Sequence, residues 1–340
     1  MKLKLIALLA LVGLFSCGKD KDNGGSNNNP PSNLTVNAVV STDNSGNVSF
    51  TATATNAVTY EYGFGNGVFQ TVPSGTVTYK YPASGTYTVT VVAKSAGGQS
   101  ISKTISITVA VTLTLVWSDE FDTPGAPDPS RWGYDLGAGG WGNNELQYYT
   151  NRLENAQVST GTLKITLKAE SFSGSNYTSA RILSKNKFSF KYGKVEARAK
   201  LPAGGGTWPA IWMLGDNIST AGWPACGEID IMEHVGNQLN KIFGTVHHPG
   251  HSGGNADGGT TIIADATTAF HRYGMEWTPT TIKFSVDDVV FYTFANNNTL
   301  PFNQNFFLIM NIAMGGNFGG AVDPAFSTGI MEVDYIRVYQ

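Results

Sequence analysis

The stretch Gly227-Glu228-Ile229-Asp230-Ile231-Met232-Glu233-His234 sets three carboxylates among branched and apolar residues that favour a β-strand. Alternate residues of a strand share a face, so Glu228 and Asp230 point to the same side. Strict alternation would send Glu233 to the opposite side. A β-bulge at Ile231-Met232 would return Glu233 to the face of Glu228, and we predict one there. Three acids would then line one wall of a cleft.

Three carboxylates on one strand face could supply the pair of acids that cleaves a glycosidic bond. Like charges raise one another's pKa until one of the groups stays protonated. Hydrolysis with retention of the anomeric configuration needs groups in these two protonation states, because it uses an ionised nucleophile and a neutral acid about 5–5.5 Å apart. The alternative is a solvated acidic strand edge, since the string E-x-D-x-x-E also arises by chance.

The surrounding sequence favours the first interpretation. Glu-Ile-Asp-Ile-Met-Glu resembles the signature of the family 16 glycoside hydrolases, in the bulged form typical of laminarinases and related β-glucanases. Other blocks of that family are similar to the segments Trp117–Asp122, Trp141–Thr150, Tyr192–Arg198 and Trp208–Leu214. The resemblance covers residues 111–340 and implies a β-jelly-roll sandwich. It implies that Glu228 is the nucleophile, Asp230 an auxiliary acid and Glu233 the acid/base.

The composition also indicates an exported all-β protein. Glycine supplies 40 of the 340 residues, and charged residues make up only 14% of the chain, whereas globular proteins average about 7% glycine and about 25% charged residues. The formal net charge is −3 and the body of the chain has no run of Lys or Arg, so a nucleic acid partner is excluded. We therefore predict an all-β fold with a large sandwich and a smaller immunoglobulin-like sandwich before it.

Residues 1–16 predict a secretory signal peptide, with a basic start and an apolar run too short to span a membrane. The run ends in Leu-Phe-Ser-Cys-Gly, which resembles a bacterial lipobox with Cys17 as the acylated residue. A plain signal peptide with an incidental cysteine is the alternative. Residues 17–33 then form the acylated Cys and a flexible polar tether. This implies an exported protein, anchored to a membrane through Cys17 at the outer membrane or cell surface of a Gram-negative bacterium.

Residues 34–110 consist of short alternating segments separated by Gly and Ser turns, the pattern of a β-sandwich. Tyr62–Gly67 and Gly85–Val91 resemble parts of a PKD domain. Gly63 and Asn66 replace the acids usual in that motif, so we interpret the domain as a rigid spacer, with glycan binding as the alternative.

Tryptophans are confined to the second domain, where all seven lie between Trp117 and Trp277. Trp208, Trp212 and Trp223 flank the acidic stretch. Flat aromatic faces suit the apolar faces of sugar rings, so these three are candidate substrate-binding residues, with core packing as the alternative.

Polar candidates for substrate binding come from the family resemblance and from strand order. Arg181 and Asn143 or Asn144 match family positions that bond sugar hydroxyls. His247 ends a predicted neighbouring strand, from which it could bind substrate or tune the acid/base; His248 is equally plausible from sequence.

Metal motifs are absent from the sequence: it has neither H-E-x-x-H nor a calcium loop of EF-hand spacing. We expect no cofactor for catalysis. The family resemblance implies a structural calcium instead, with ligands from Glu120, Gly161 and Asp334, since hard oxygen ligands suit that ion.

The predicted function is retaining endo-hydrolysis of β-1,3-glucan or mixed-linkage β-1,3/1,4-glucan by a monomer. Two alternatives remain open at this point. One is a family 16 hydrolase of another polysaccharide, such as a galactan, and the other is a lipid-anchored glycan-binding protein that has lost catalysis.

Overall fold

The computed structural model describes residues 29–340, and strands dominate throughout this range. The predicted signal peptide, Cys17 and the first part of the tether lie outside the described residues. Within the described range, no helix combines the length and the apolar character that crossing a bilayer requires.

The N-terminal domain is a sandwich of a three-stranded sheet (β1-β2-β5) and a four-stranded sheet (β4-β3-β6-β7). Alternation along β2 buries Val48, Phe50 and Ala52, and these side chains meet Tyr62 and Phe64 in one core. The predicted immunoglobulin-like sandwich is therefore confirmed. Its strands are β1 (Ser32–Val40), β2 (Asn47–Thr55), β3 (Thr59–Gly63), β4 (Phe69–Val72), β5 (Thr76–Lys80), β6 (Gly85–Lys94) and β7 (Ser100–Val109).

The second domain has one sheet of ten strands and one of seven. The ten-stranded sheet comprises β8 (Leu115–Asp119), β10 (Gln147–Tyr149), β11 (Ala156–Ser159), β12 (Thr162–Phe172), β13 (Ser175–Ser179), β15 (Gly193–Lys200), β20 (His271–Trp277), β21 (Thr281–Val286), β22 (Val289–Ala295) and β24 (Thr328–Tyr339). The seven-stranded sheet comprises β9 (Gly133–Asp135), β14 (Arg181–Leu183), β16 (Thr207–Gly215), β17 (Glu228–His234), β18 (Lys241–His247), β19 (Asp257–Ile262) and β23 (Phe306–Met314). Two single-turn helices, α1 (Ile218–Ala221) and α2 (Gly316–Gly319), lie in connections, as do the 3₁₀ turns Gly140–Gly142, Gly236–Gln238 and Gly253–Asn255.

The two sheets share one apolar core, which confirms the jelly-roll sandwich. Ile211 and Met213 of β16 enter this core from the seven-stranded sheet, and Met275 enters it from the ten-stranded sheet. Side chains alternate along a strand, so Trp212, which lies between these two residues, is on the other face of the seven-stranded sheet. Trp208, four residues before Trp212, is on that same face. We call this outward face, turned away from the ten-stranded sheet, the site face.

The three residues of the predicted calcium site lie at one strand junction. Antiparallel pairing of β12 with β24 ends next to Asp334, and the pairing of β8 with β24 begins two residues later. Gly161 immediately precedes β12 and Glu120 follows β8, so both approach Asp334. Arg337 donates to both Glu120 oxygens (3.0 and 2.7 Å), and Arg198 donates to Asp334 Oδ2 (2.6 Å). Both carboxylates are thus already paired with guanidinium groups, and the calcium site remains a prediction.

Candidate active site

The acidic stretch forms β17, which lies inside the seven-stranded sheet between β16 and β18. The register against β18 shifts between Asp230 and Glu233, so that Ile231 and Met232 oppose the single residue Gly244. The side chains of Ile231 and Met232 are both buried in the core between the sheets. The predicted bulge is confirmed, and it leaves all three carboxylates on the site face.

Burial and mutual repulsion set the protonation of the three acids. Burial raises the pKa of Glu228 well above its ordinary value, and the charge of Asp230 raises it further. Burial and the charge of Glu233 likewise raise the pKa of Asp230. Burial also raises the pKa of Glu233, although His247 and a hydrogen bond from Trp208 oppose the rise. Burial and mutual repulsion therefore favour a protonated group in the cluster, as a general acid requires.

Two indole N–H groups orient the two glutamates. Trp223 Nε1 donates to Glu228 Oε2 at 2.7 Å, and Trp208 Nε1 donates to Glu233 Oε1 at 3.0 Å. Thr245 Oγ1 donates to the other oxygen of Glu233 at 3.3 Å. Trp208 and Trp223 were predicted from the sequence to bind substrate, but their hydrogen bonds also hold the acids. Trp223 is half exposed, so its ring can still contact a sugar.

His247 contacts the nucleophile side of the cluster. It pairs with Glu228 across the strands, and its Nε2 lies 3.1 Å from Asp230 Oδ2 and 3.7 Å from Glu228 Oε1. The Gly253 N–H donates to His247 Nδ1 at 3.1 Å, so the proton of the neutral ring is on Nε2, facing the carboxylates. The sequence did not reveal that His247 contacts Asp230 and Glu228 and not Glu233.

Arg181 and Trp212 extend the site face across β14 and β16. The Arg181 guanidinium lies over two indole rings, 5.0 Å from the centre of Trp141 and 4.7 Å from that of Trp212. Its Nε is 3.0 Å from Asp135 Oδ2. Trp212 Nε1 donates to Asn311 Oδ1 at 2.7 Å. The predicted arginine is thus held in a fixed orientation beside an aromatic surface, which suits a sugar-binding position.

The loop with Asn143 and Asn144 is tied to the sheet by a residue that the sequence did not single out. Asn143 Nδ2 donates to Glu145 Oε1 at 3.4 Å, and Tyr149 Oη donates to Glu145 Oε2 at 3.1 Å. Burial raises the pKa of Glu145. Asn144 Nδ2 instead donates to Asn317 Oδ1 at 2.8 Å. Both asparagines therefore connect loops in this structure, and their role toward a sugar remains a prediction.

Two groups of side chains in the described residues have ligand atoms close enough to share a metal ion. Glu228, Asp230 and His247 form one group, with ligand atoms within 4.8 Å of one another. The second group, His248, His251 and Asp257, lies beyond the end of β18 and faces away from the three carboxylates of β17. The first group coincides with the proposed nucleophile, whose role needs a carboxylate that is free to attack carbon.

Comparison with known proteins agrees with this geometry. Residues 143–337 match the family described as "Glycosyl hydrolases family 16", and residues 33–109 match the PKD domain. A β-glucanase from Rhodothermus marinus is 50% identical in an alignment of 242 residues that covers 66% of this chain and 85% of that protein. A glucan endo-1,3-β-glucosidase from Cryptopygus antarcticus is 40% identical over 248 residues, covering 66% of this chain and 90% of its own. The X-ray structure of the laminarinase from Rhodothermus marinus superimposes with a TM-score of 0.65 at 50% identity, over 67% of this chain and 98% of that chain. The chain belongs to family 16 of the glycoside hydrolases.

Proposed function

We propose that this glycoside hydrolase is a retaining endo-hydrolase of β-1,3-glucan, with mixed-linkage β-1,3/1,4-glucan as a second substrate. The observation that carries the proposal is the placement of Glu228, Asp230 and Glu233 on one face of a single bulged strand. The names of the similar proteins, a laminarinase and a glucan endo-1,3-β-glucosidase, support the choice of substrate. They favour it over a galactan, and the intact acids argue against a protein that only binds glycan.

The reaction follows from the two glutamates. Glu233 protonates the leaving glycosidic oxygen while the Glu228 carboxylate attacks the anomeric carbon, which gives a glycosyl ester and a free sugar end. Glu233, now ionised, takes a proton from water, and the hydroxide oxygen displaces Glu228 from the anomeric carbon. Each step inverts the carbon, so the product keeps the β configuration.

Asp230 and His247 influence the ionisation of the two glutamates. Asp230 lies between the two glutamates in sequence, and it interacts electrostatically with each of them. The His247 Nε2–H faces Asp230 and Glu228, so it stabilises negative charge where the nucleophile must be ionised. The three carboxylates are thus electrostatically coupled, and the retaining reaction requires their shared proton to be on Glu233 when it acts as the acid.

A panel of polysaccharides tests the proposed substrate. We expect reducing ends to be released fastest from laminarin and more slowly from lichenan, with none from cellulose or agarose. Proton NMR of the first products should show the β anomer before mutarotation. Glu228→Gln protein, assayed in parallel, is the control for contaminating activity. Faster release from agarose, or initial α anomer, would contradict the proposal.

We also propose that Cys17 anchors the exported protein to a membrane through acyl chains. The support is the Leu-Phe-Ser-Cys sequence after the apolar run, together with the polar tether that follows it. Cys17→Ala should move the protein from the membrane pellet to the soluble fraction. Cys226→Ala is the matched control, because Cys226 is the second of the two cysteines and is buried in the folded domain. Sedimentation of folded Cys17→Ala protein with membranes would show that the anchor is elsewhere.

A further inference from the structure

A tight turn directly after β18 brings two histidines together. His248 and His251 form an antiparallel bridge in which each backbone N–H donates to the carbonyl of the other at 2.9 Å. Pro249 and Gly250 fill the two central positions, and Gly250 has φ of 87°, as the third residue of a type II turn requires. Bridged residues project to the same side. The two imidazole rings therefore stack, with centroids 4.8 Å apart.

Asp257, the first residue of β19, completes the group. His248 Nε2 lies 3.1 Å and His251 Nδ1 3.0 Å from the same oxygen, Asp257 Oδ2. His248 is buried against the rings of Phe294 and Phe302, whereas His251 is half exposed. Two ring nitrogens and one carboxylate oxygen thus converge on a point that solvent can reach from one side.

The hydrogen bonding of His248 leaves a lone pair at this point. Its Nδ1 lies 3.2 Å from the carbonyl oxygen of Pro249 and its Nε2 lies 3.1 Å from Asp257 Oδ2. Both oxygens can only accept, and a neutral imidazole has one N–H to donate. With that proton on Nδ1, Nε2 presents a lone pair to the Asp257 carboxylate, and two acceptors face each other. A cation between them removes the conflict. A backbone carbonyl on the second nitrogen is also the usual partner of a metal-binding histidine.

We propose that His248, His251 and Asp257 bind a divalent transition-metal ion, for which Zn²⁺ is the best match. Zinc takes imidazole nitrogen and carboxylate oxygen at about 2.0–2.2 Å in a tetrahedron, whose edges are then about 3.3 Å long. The separations of 3.1 and 3.0 Å to Asp257 Oδ2 are close to such edges. Three protein ligands and a water on the exposed side complete the four positions.

The ion would fasten the loop that supports His247. Gly253 lies between the ligands His251 and Asp257, and its N–H donates to His247 Nδ1. His248 itself follows His247 directly and faces the opposite side of the sheet. A metal ion at this position would restrain Gly253 and His248, the two residues that hold the His247 ring in place. It would do so without contacting Glu228, Asp230 or Glu233.

Zinc uptake by the untagged full chain tests the proposal. Protein treated with EDTA and dialysed is titrated with ZnCl₂ at pH 7.5, by calorimetry and by competition with a chromophoric chelator. We expect wild type to take up one more Zn²⁺ per chain than His251→Gln. We expect Asp257→Asn to weaken the binding of that ion at least about tenfold, since loss of a supporting contact alone costs 10–100-fold. Anomalous diffraction at the zinc edge should place the ion between the three side chains.

His271→Gln is the matched control. His271 also contacts two carboxylates, at 3.1 Å to Asp265 and 2.7 Å to Asp287, but through opposite ring nitrogens, so these groups do not converge. Its zinc uptake should equal that of wild type. Melting curves of the metal-free variants verify that each is folded. Equal uptake and affinity in wild type and in folded His251→Gln would overturn the proposal and leave an imidazolium–carboxylate cluster.

Discussion

Replacing Glu228 with alanine is expected to lower the turnover of laminarin by about 10⁴-fold or more, because no glycosyl ester can form without the carboxylate. Added azide should restore cleavage of an aryl β-glucoside oligosaccharide. The anion would occupy the space left by the side chain and attack the anomeric carbon directly, while Glu233 protonates the leaving group. One inversion gives an α-glycosyl azide, which NMR identifies.

Glu228→Gln separates this chemical loss from a folding defect. The amide keeps the size of the side chain and can still accept the Trp223 N–H through its carbonyl. Burial raises the pKa of Glu228 above the ordinary value of 4.5, so the ionised carboxylate destabilises the folded state as pH rises above that value. Glu228→Gln should therefore melt at a higher temperature than wild type, by a larger margin at pH 8 than at pH 5. Laminarin turnover above one hundredth of wild type would remove Glu228 from the role of nucleophile.

Replacing Glu233 with alanine is expected to produce an effect that depends on the leaving group. Turnover of laminarin should fall by about 10²–10⁴-fold, since a sugar alcohol leaves poorly without a proton. Dinitrophenyl glycosides need no protonation, so their first step should remain fast and the glycosyl ester on Glu228 should accumulate as a burst. Azide would then attack that ester from the opposite face and give a β-glycosyl azide.

Trp208→Phe is the matched control for Glu233→Ala. It removes the N–H that donates to Glu233 Oε1 but leaves the carboxyl group in place. We expect the basic limb of the pH–rate profile to move to higher pH, because the hydrogen bond that is lost lowers the pKa of Glu233 in the wild type. The loss of rate should be much smaller than that of Glu233→Ala. An α-azide from Glu233→Ala, with a β-azide from Glu228→Ala, would show that the two roles are exchanged.

The strands and the bulge could be predicted because they depend on local pattern. Val48, Phe50 and Ala52 alternate with polar residues, and alternation alone places them on a buried face. Three acids in six positions share a face only if one residue is extra, so the bulge at Ile231-Met232 followed from the chemistry required of Glu233. Both predictions rest on the two-residue period of a strand, which sequence displays directly.

The contacts between side chains could not be predicted in the same way. The sequence places Trp208 and Trp223 near the acids, but whether an indole presents its face to solvent or its N–H to a carboxylate depends on side-chain torsions and neighbouring strands. The orientation of His247 depends on a hydrogen bond from Gly253, which belongs to a loop of irregular structure. Glu145 had no distinguishing pattern, since its role depends on how the side chains of Asn143 and Tyr149 are oriented toward it.

The position of β17 inside its sheet protects the three acids from local fraying. Strands on both sides bind its backbone, and six of its seven residues are buried. Fraying, which begins at edge strands and loop ends, does not reach it. All three acids are on this one strand, so no partly opened form keeps one and loses another. Separating the acids by unfolding therefore requires the neighbouring strands on both sides to open, and we expect destabilising substitutions far from the acids to lower activity through the folded fraction.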